Sequence, residues 1–156
     1  MRMPDICSVE HVRNGALRGV GFLIYPSNHN VTARETFYGL PEEEQKHFRV
    51  SFDYWVDGLI QPRRFHGWNK SEFSGQYKRC FVFKQDEHRL YGFLLHPKDE
   101  ESRYQYCLLA AYGWKVQQST EEKYLRQCTE LGDMVPVHRA VKNLFNKSRG
   151  GKNGKR

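Results

Sequence analysis

The sequence lacks any run of about 18 uncharged apolar residues, the length a membrane-crossing helix needs. Its start, MRMPDICSVEHVRNG, has neither the apolar centre nor the small-residue cleavage site of a secretory leader. A soluble chain working in the cytoplasm, with no membrane partner, is therefore expected. Cysteine is sparse and scattered at Cys7, Cys80, Cys107 and Cys128, with no C-x-x-C pair and no neighbouring histidine, so the spacing of a zinc site or a redox pair is missing. No two histidines stand four apart, which removes the helical metal pair as well. These absences predict reduced, buried thiols and no metal or organic cofactor. Acid is absent from the last twenty residues, which carry Arg139, Lys142, Lys147, Arg149, Lys152, Lys155 and Arg156. The chain has 25 Lys+Arg and 18 Asp+Glu, so those seven cations are the whole formal excess of +7. A basic block of this kind fits a polyanionic partner such as nucleic acid.

What is present suits one folded domain: 156 residues, 38% apolar and 14% aromatic, enough for a sizeable core. After a polar N-terminal arm (1–19), VGFLIY at 20–25 reads as a strand ended by Pro26. Pro41 followed by three glutamates opens a helix, proline fitting the first turn and the carboxylates facing its positive end. Phe48, Phe52, Trp55, Val56 and Leu59 then share one side, and Gly58 is a stop. The stretch 61–68 crosses the surface because Pro62 forbids helix, and it carries Arg63, Arg64, His66 and Trp68; one reading packs Phe65 and Trp68 with solvated arginines between them. Three strands follow, 77–84, 89–96 and 103–112, joined by short polar hairpins. A helix starts at Ser119 or Thr120 with Tyr124, Leu125, Cys128 and Leu131 on its apolar face. A last helix covers 136–145, and NKSRGGKNGKR is expected to be disordered. The order predicts an α+β fold, a small mostly antiparallel sheet with helices packed on one face, as a domain over 20–146 with a basic tail at 147–156.

Folding the hairpins at their loops brings Lys84, His88, Arg89, Trp114, Lys115 and Tyr124 to one end of the sheet. Such a set suits phosphodiester transfer without metal. Attack by an RNA 2′-hydroxyl needs cations to hold the extra charge on the phosphate and groups that move protons at the attacking and leaving oxygens. Arginine offers phosphate a bidentate fork, lysine a compact charge, tyrosine or histidine the proton, and an exposed tryptophan a face for an unpaired base. Other readings of the same residues are an ion pair from Arg89 to Asp86 or Glu87, and a core position for Tyr124.

GLPEEEQKHFRVSFDYWVDG, HRLYGFLLHP and YCLLAAYGWKVQQSTEEKYLRQC resemble the helix, central strand and final strand-plus-helix of the RelE/HigB superfamily of toxin–antitoxin ribonucleases, over roughly residues 36 to 131. The family opens its central strand with an aromatic, an arginine and an aliphatic residue, and it leads from its last strand into a helix through a basic run. By that resemblance Arg89, after His88, takes the phosphate-binding arginine's place, Lys115 in Gly113-Trp114-Lys115 is the lysine of the basic run, and Tyr124 stands where members carry a catalytic tyrosine. His88 joins these as a proton-transfer candidate, and Lys84, Trp114, Arg79, Lys78, Arg63 and Arg64 are the RNA-binding candidates. Four positions depart from the pattern: Val116 replaces a second basic residue, Glu121 stands where proline is common, and Cys80 and Val82 occupy the places of strand lysines in RelE. Lys78, Arg79 and Lys84 are the residues that could substitute for them. The resemblance implies the toxin of a type II toxin–antitoxin system. Such a toxin is an endoribonuclease that cuts ribosome-bound mRNA without a cofactor, inhibits translation, and is silenced by a cognate antitoxin protein. The alternatives are a RelE-fold binding module without catalysis and a ParE-like gyrase inhibitor.

Overall fold

The structure, a computed structural model, describes residues 7–97, 103–114 and 118–153, with backbone only for 118–120 and 146–153. In chain order the elements are β1 (Ser8–Asn14), β2 (Arg18–Ile24), α1 (Ala33–Gly39), α2 (Glu42–Val56), β3 (Phe65–Gly67), a 3-10 turn (Phe73–Gly75), β4 (Cys80–Gln85), β5 (His88–Leu95), β6 (Gln105–Trp114), α3 (Gln118–Gly132) and α4 (Val135–Asn153). The strands make one sheet in the order β1-β2-β6-β5-β4-β3, in which β2 and β6 are parallel and every other pair is antiparallel. The α+β class and the mostly antiparallel sheet are those expected.

The helices, however, cover both faces of the sheet instead of one. Strands β5 and β6 are apolar almost without interruption, so both sides need cover. Val20, Phe22, Phe81, Phe83, Leu90, Cys107 and Leu109 pack with α1 and α2 through Phe37, Phe48, Phe52 and Trp55. Val82, Tyr91, Phe93, Tyr106 and Leu108 pack with α3 and α4 through Leu125, Cys128, Leu131, Val137 and Val141. No helix among the described residues is long and apolar enough to cross a membrane.

Two further expectations change. Residues 8–14, read as part of a polar arm, form edge strand β1, half-buried at intervals and exposed at Ser8, His11 and Asn14. An edge strand with one weakly covered face carries too few apolar residues for its alternation to show. The last helix does not end near Phe145: its backbone continues to Asn153 through most of the stretch expected to be disordered.

One irregularity decides which way the end of β6 faces. Tyr91 pairs with Ala111 but Gly92 pairs with Leu109, so Ala110 is an extra residue in β6. Ala110 and Ala111 both fall on the α3 face, and Tyr112 is turned to the other. Gly92 permits this bulge by letting the two backbones approach: a Cβ there would stand 2.4 Å from the Leu108 carbonyl oxygen.

Candidate functional site

Strands β4 and β5 are joined by the two-residue turn Asp86-Glu87, with Gln85 opposite His88. Asp86 sits at φ 51, a left-handed conformation that aspartate tolerates in turns. This register sets Lys84 directly opposite Arg89. Both belong to the face of Val82 and Tyr91, the α3 side, because side chains alternate along each strand. The next residue across is Gly113, which has no side chain, so the row is open toward β6.

Arg89 is anchored by one nitrogen. Its Nη1 donates to the Asp86 carbonyl at 2.6 Å and to the His88 carbonyl at 3.0 Å. The ion pair with Asp86 or Glu87 weighed from the sequence does not form; the partner is the backbone of Asp86 and not its carboxylate. Neither Lys84 nor Arg89 enters a salt bridge among the described residues. Lys84 is half-buried, and its ammonium is pushed below the ordinary lysine range, first by burial and then by the Arg89 charge, with Glu121 pulling the other way.

Behind this pair lies Tyr91, fully buried. Its hydroxyl donates to Glu121 Oε2 at 2.7 Å, and its ring lies parallel to Tyr124 with centroids 5.3 Å apart and Trp68 at 6.4 Å on the same stack. Burial, the hydrogen bond to Glu121 and the Glu121 charge together push the Tyr91 phenol far above its usual range, so it remains a neutral donor. Tyr124 packs half-buried against the α3-side core, which agrees with a core contact and leaves it beside Tyr91. Lys84, Arg89, Tyr91, Glu121 and Tyr124 thus share one end of one face.

The structure divides the rest of the expected cluster. His88 precedes Arg89 and therefore points to the α1/α2 face, where its Nδ1 is 2.7 Å from the Tyr112 hydroxyl and its ring meets Trp114 edge-on at 4.9 Å. Trp114 is exposed on that face, turned there by the Ala110 bulge. His88 and Arg89 are neighbours in the chain but stand on opposite sides of the sheet, so they do not act on one phosphate together. Lys115 lies outside the described residues.

The backbone of Arg64 meets Lys84, whose N–H donates to its carbonyl at 2.7 Å, yet its guanidinium rests on α2 over Tyr54 and donates to Ser51 Oγ at 3.1 Å. Arg63 is exposed on the turn beside it. Lys78 and Arg79 precede β4, at its far end from Lys84, a separation of roughly 17 Å at about 3.3 Å per residue. Arg79 there pairs with Asp133 at 3.4 Å, an exposed contact worth less than about 1 kcal/mol. Lys78 and Arg79, expected as substitutes for strand lysines, therefore stand apart from Lys84 and Arg89. Cys80 and Val82, in those places, are buried in the α3-side core. Sequence reasoning named Glu121 without giving it a role and passed over Tyr91; the structure joins them, the Glu121 carboxylate accepting the Tyr91 hydroxyl. Comparison with family models, curated proteins and solved structures finds no match to this chain.

Proposed function

We propose that this chain is the toxin of a type II toxin–antitoxin system, an endoribonuclease that cuts mRNA in the cytoplasm, at the ribosome, and is held silent by a partner antitoxin. One observation carries the reading: Lys84 and Arg89 face each other across two strands with no salt-bridge partner among the described residues. Like charges directly opposite in a sheet destabilise it, and a phosphodiester bound between them relieves that repulsion. The chemistry is attack of a 2′-hydroxyl on the adjacent phosphorus, leaving a 2′,3′-cyclic phosphate. Lys84 and Arg89 hold the non-bridging oxygens as negative charge grows, and Tyr124 and Tyr91 stand beside them. The resemblance of the α2, β5 and β6–α3 segments to the RelE/HigB superfamily supports the same substrate. A second reading, a RelE-fold binding module without catalysis, is favoured by the burial of Cys80 and Val82 where RelE carries lysines.

Expression of the full chain with mapping of new mRNA ends separates the two. Cleavage is expected to survive EDTA and to leave cyclic phosphate ends. Arg89→Ala keeps the fold, because among the described residues its side chain bonds only two backbone carbonyls, those of Asp86 and His88, and loses about 100-fold in rate, near 3 kcal/mol of transition-state stabilisation. Undiminished toxicity from folded Arg89→Ala overturns the assignment, and absence of new RNA ends with the wild type leaves the binding module.

A further inference from the structure

We infer that Glu121 is the group that takes the proton from the attacking 2′-hydroxyl, with Tyr91 positioning it; this rests on the ribonuclease reading of the site. Two consecutive glutamates of α3 each accept a tyrosine hydroxyl, Glu121 from Tyr91 at 2.7 Å and Glu122 from Tyr77 at 2.9 Å. Their surroundings differ. Glu122 has the Arg126 guanidinium 3.9 Å away, its one salt bridge among the described residues. Glu121 forms no salt bridge among the described residues and lies where its charge acts on Lys84 and on Tyr91, the same two groups that feel Arg89. A carboxylate beside a phosphate site repels the phosphate, so for binding alone it is a disadvantage. For chemistry it supplies what the cations lack, an acceptor for the proton that must leave the nucleophile.

The geometry assigns its two oxygens different tasks. Oε2 is occupied by the Tyr91 hydroxyl, whose oxygen is held in place because the ring is stacked against Tyr124 and fully buried. Oε1 has no hydrogen-bond partner among the described residues and is left to accept. In the step, the proton moves from the 2′-oxygen to Glu121, and the 2′-oxygen forms a bond to phosphorus. The bond from phosphorus to the 5′-oxygen breaks, and that oxygen leaves with its electron pair and takes a proton from water. The products are a 2′,3′-cyclic phosphate and a 5′-hydroxyl, with Glu121 returning its proton to solvent.

The test compares wild type, Glu121→Gln, Glu122→Gln and Tyr91→Phe on one mRNA, free and in a ribosome-containing translation mixture, measuring cleavage at saturating RNA and RNA affinity separately. Glutamine keeps an oxygen for the Tyr91 hydroxyl and removes only the charge. The expected result is a loss of about 100-fold or more in the rate for Glu121→Gln with affinity equal to wild type or tighter. Glu122→Gln, which perturbs an equivalent tyrosine pair one residue away, cleaves like wild type. Tyr91→Phe, which keeps the charge and loses the tether, falls between them. Glu121→Gln cutting within a few-fold of wild type overturns the inference, as does an equal loss in Glu121→Gln and Tyr91→Phe, the mark of a structural pair. A wild-type protein that cuts neither RNA overturns the ribonuclease reading itself, and this inference with it.

Discussion

Replacing Lys84 with methionine should make the protein more stable and a poorer binder of phosphate. The aliphatic stem stays and the charge goes. Opposed residues on adjacent strands have Cβ atoms about 5 Å apart, and like charges so placed repel. Charged pairs at opposed strand positions contribute on the order of 0.2–1 kcal/mol, here as repulsion. Partial burial of the ammonium adds to the cost, while Glu121 offsets part of it. The sign follows from linkage. The folded state lowers the Lys84 pKa, so below that value the charged lysine carries its full penalty, and the penalty fades as pH rises toward the unfolded value of about 10.4. Lys84→Met should therefore raise Tm near neutral pH by about 1–4 °C for a domain of this size, and its advantage should shrink toward pH 10. Inorganic phosphate supplies the complementary arm. At ten times its Kd a ligand stabilises the folded state by about 1.4 kcal/mol, so phosphate should raise the wild-type Tm by several degrees and the variant's by much less. Thermal unfolding across a phosphate titration reads both effects. A variant that melts lower than wild type and responds equally to phosphate would refute the claim that the pair, without a salt bridge among the described residues, is an anion site.

Two other outcomes test the frame that holds the site. Gly92→Ala places a Cβ 2.4 Å from the Leu108 carbonyl oxygen and 2.9 Å from Leu108 C, both backbone atoms, so the bulge must open. A loss of about 1–3 kcal/mol in urea unfolding is expected, and an unchanged midpoint would show that β5 and β6 do not approach so closely. His11 is exposed on β1 as a residue, but its imidazole stacks on Tyr106 with Nδ1 2.9 Å from the hydroxyl, and desolvation of the ring lowers its pKa. Below the ordinary histidine range the unfolded chain takes a proton that the folded one resists, so stability falls as pH falls through about 6.5. His11→Gln should flatten the drop in Tm between pH 7 and pH 5, and an identical drop would remove His11 as its source.

Lys84 and Arg89 were legible in the sequence for a local reason. A two-residue polar turn, Asp86-Glu87, between two apolar runs sets the register of a hairpin, and period-two alternation then puts its flanking residues on one face. The α+β class was legible in the same way, from runs of strand and helix period along the chain. Local rules carry no information on how segments distant in sequence meet. The parallel pairing of β2 with β6 joins residues more than eighty positions apart, and the division of helices between two faces depends on which side of a wholly apolar strand is covered first; the edge strand β1 is a local hairpin with β2, hidden instead by its lack of an apolar alternation. The site was split by the same kind of event. Unbroken alternation from Leu108 would put Trp114 on the face of Arg89; the extra residue Ala110, accommodated because Gly92 lets two backbones close up, sends Tyr112 and Trp114 to the other side with His88. Glu121 met Tyr91 only because α3 packs across β5, a contact made by burying Leu125, Cys128 and Leu131 rather than by any pattern around Glu121 itself.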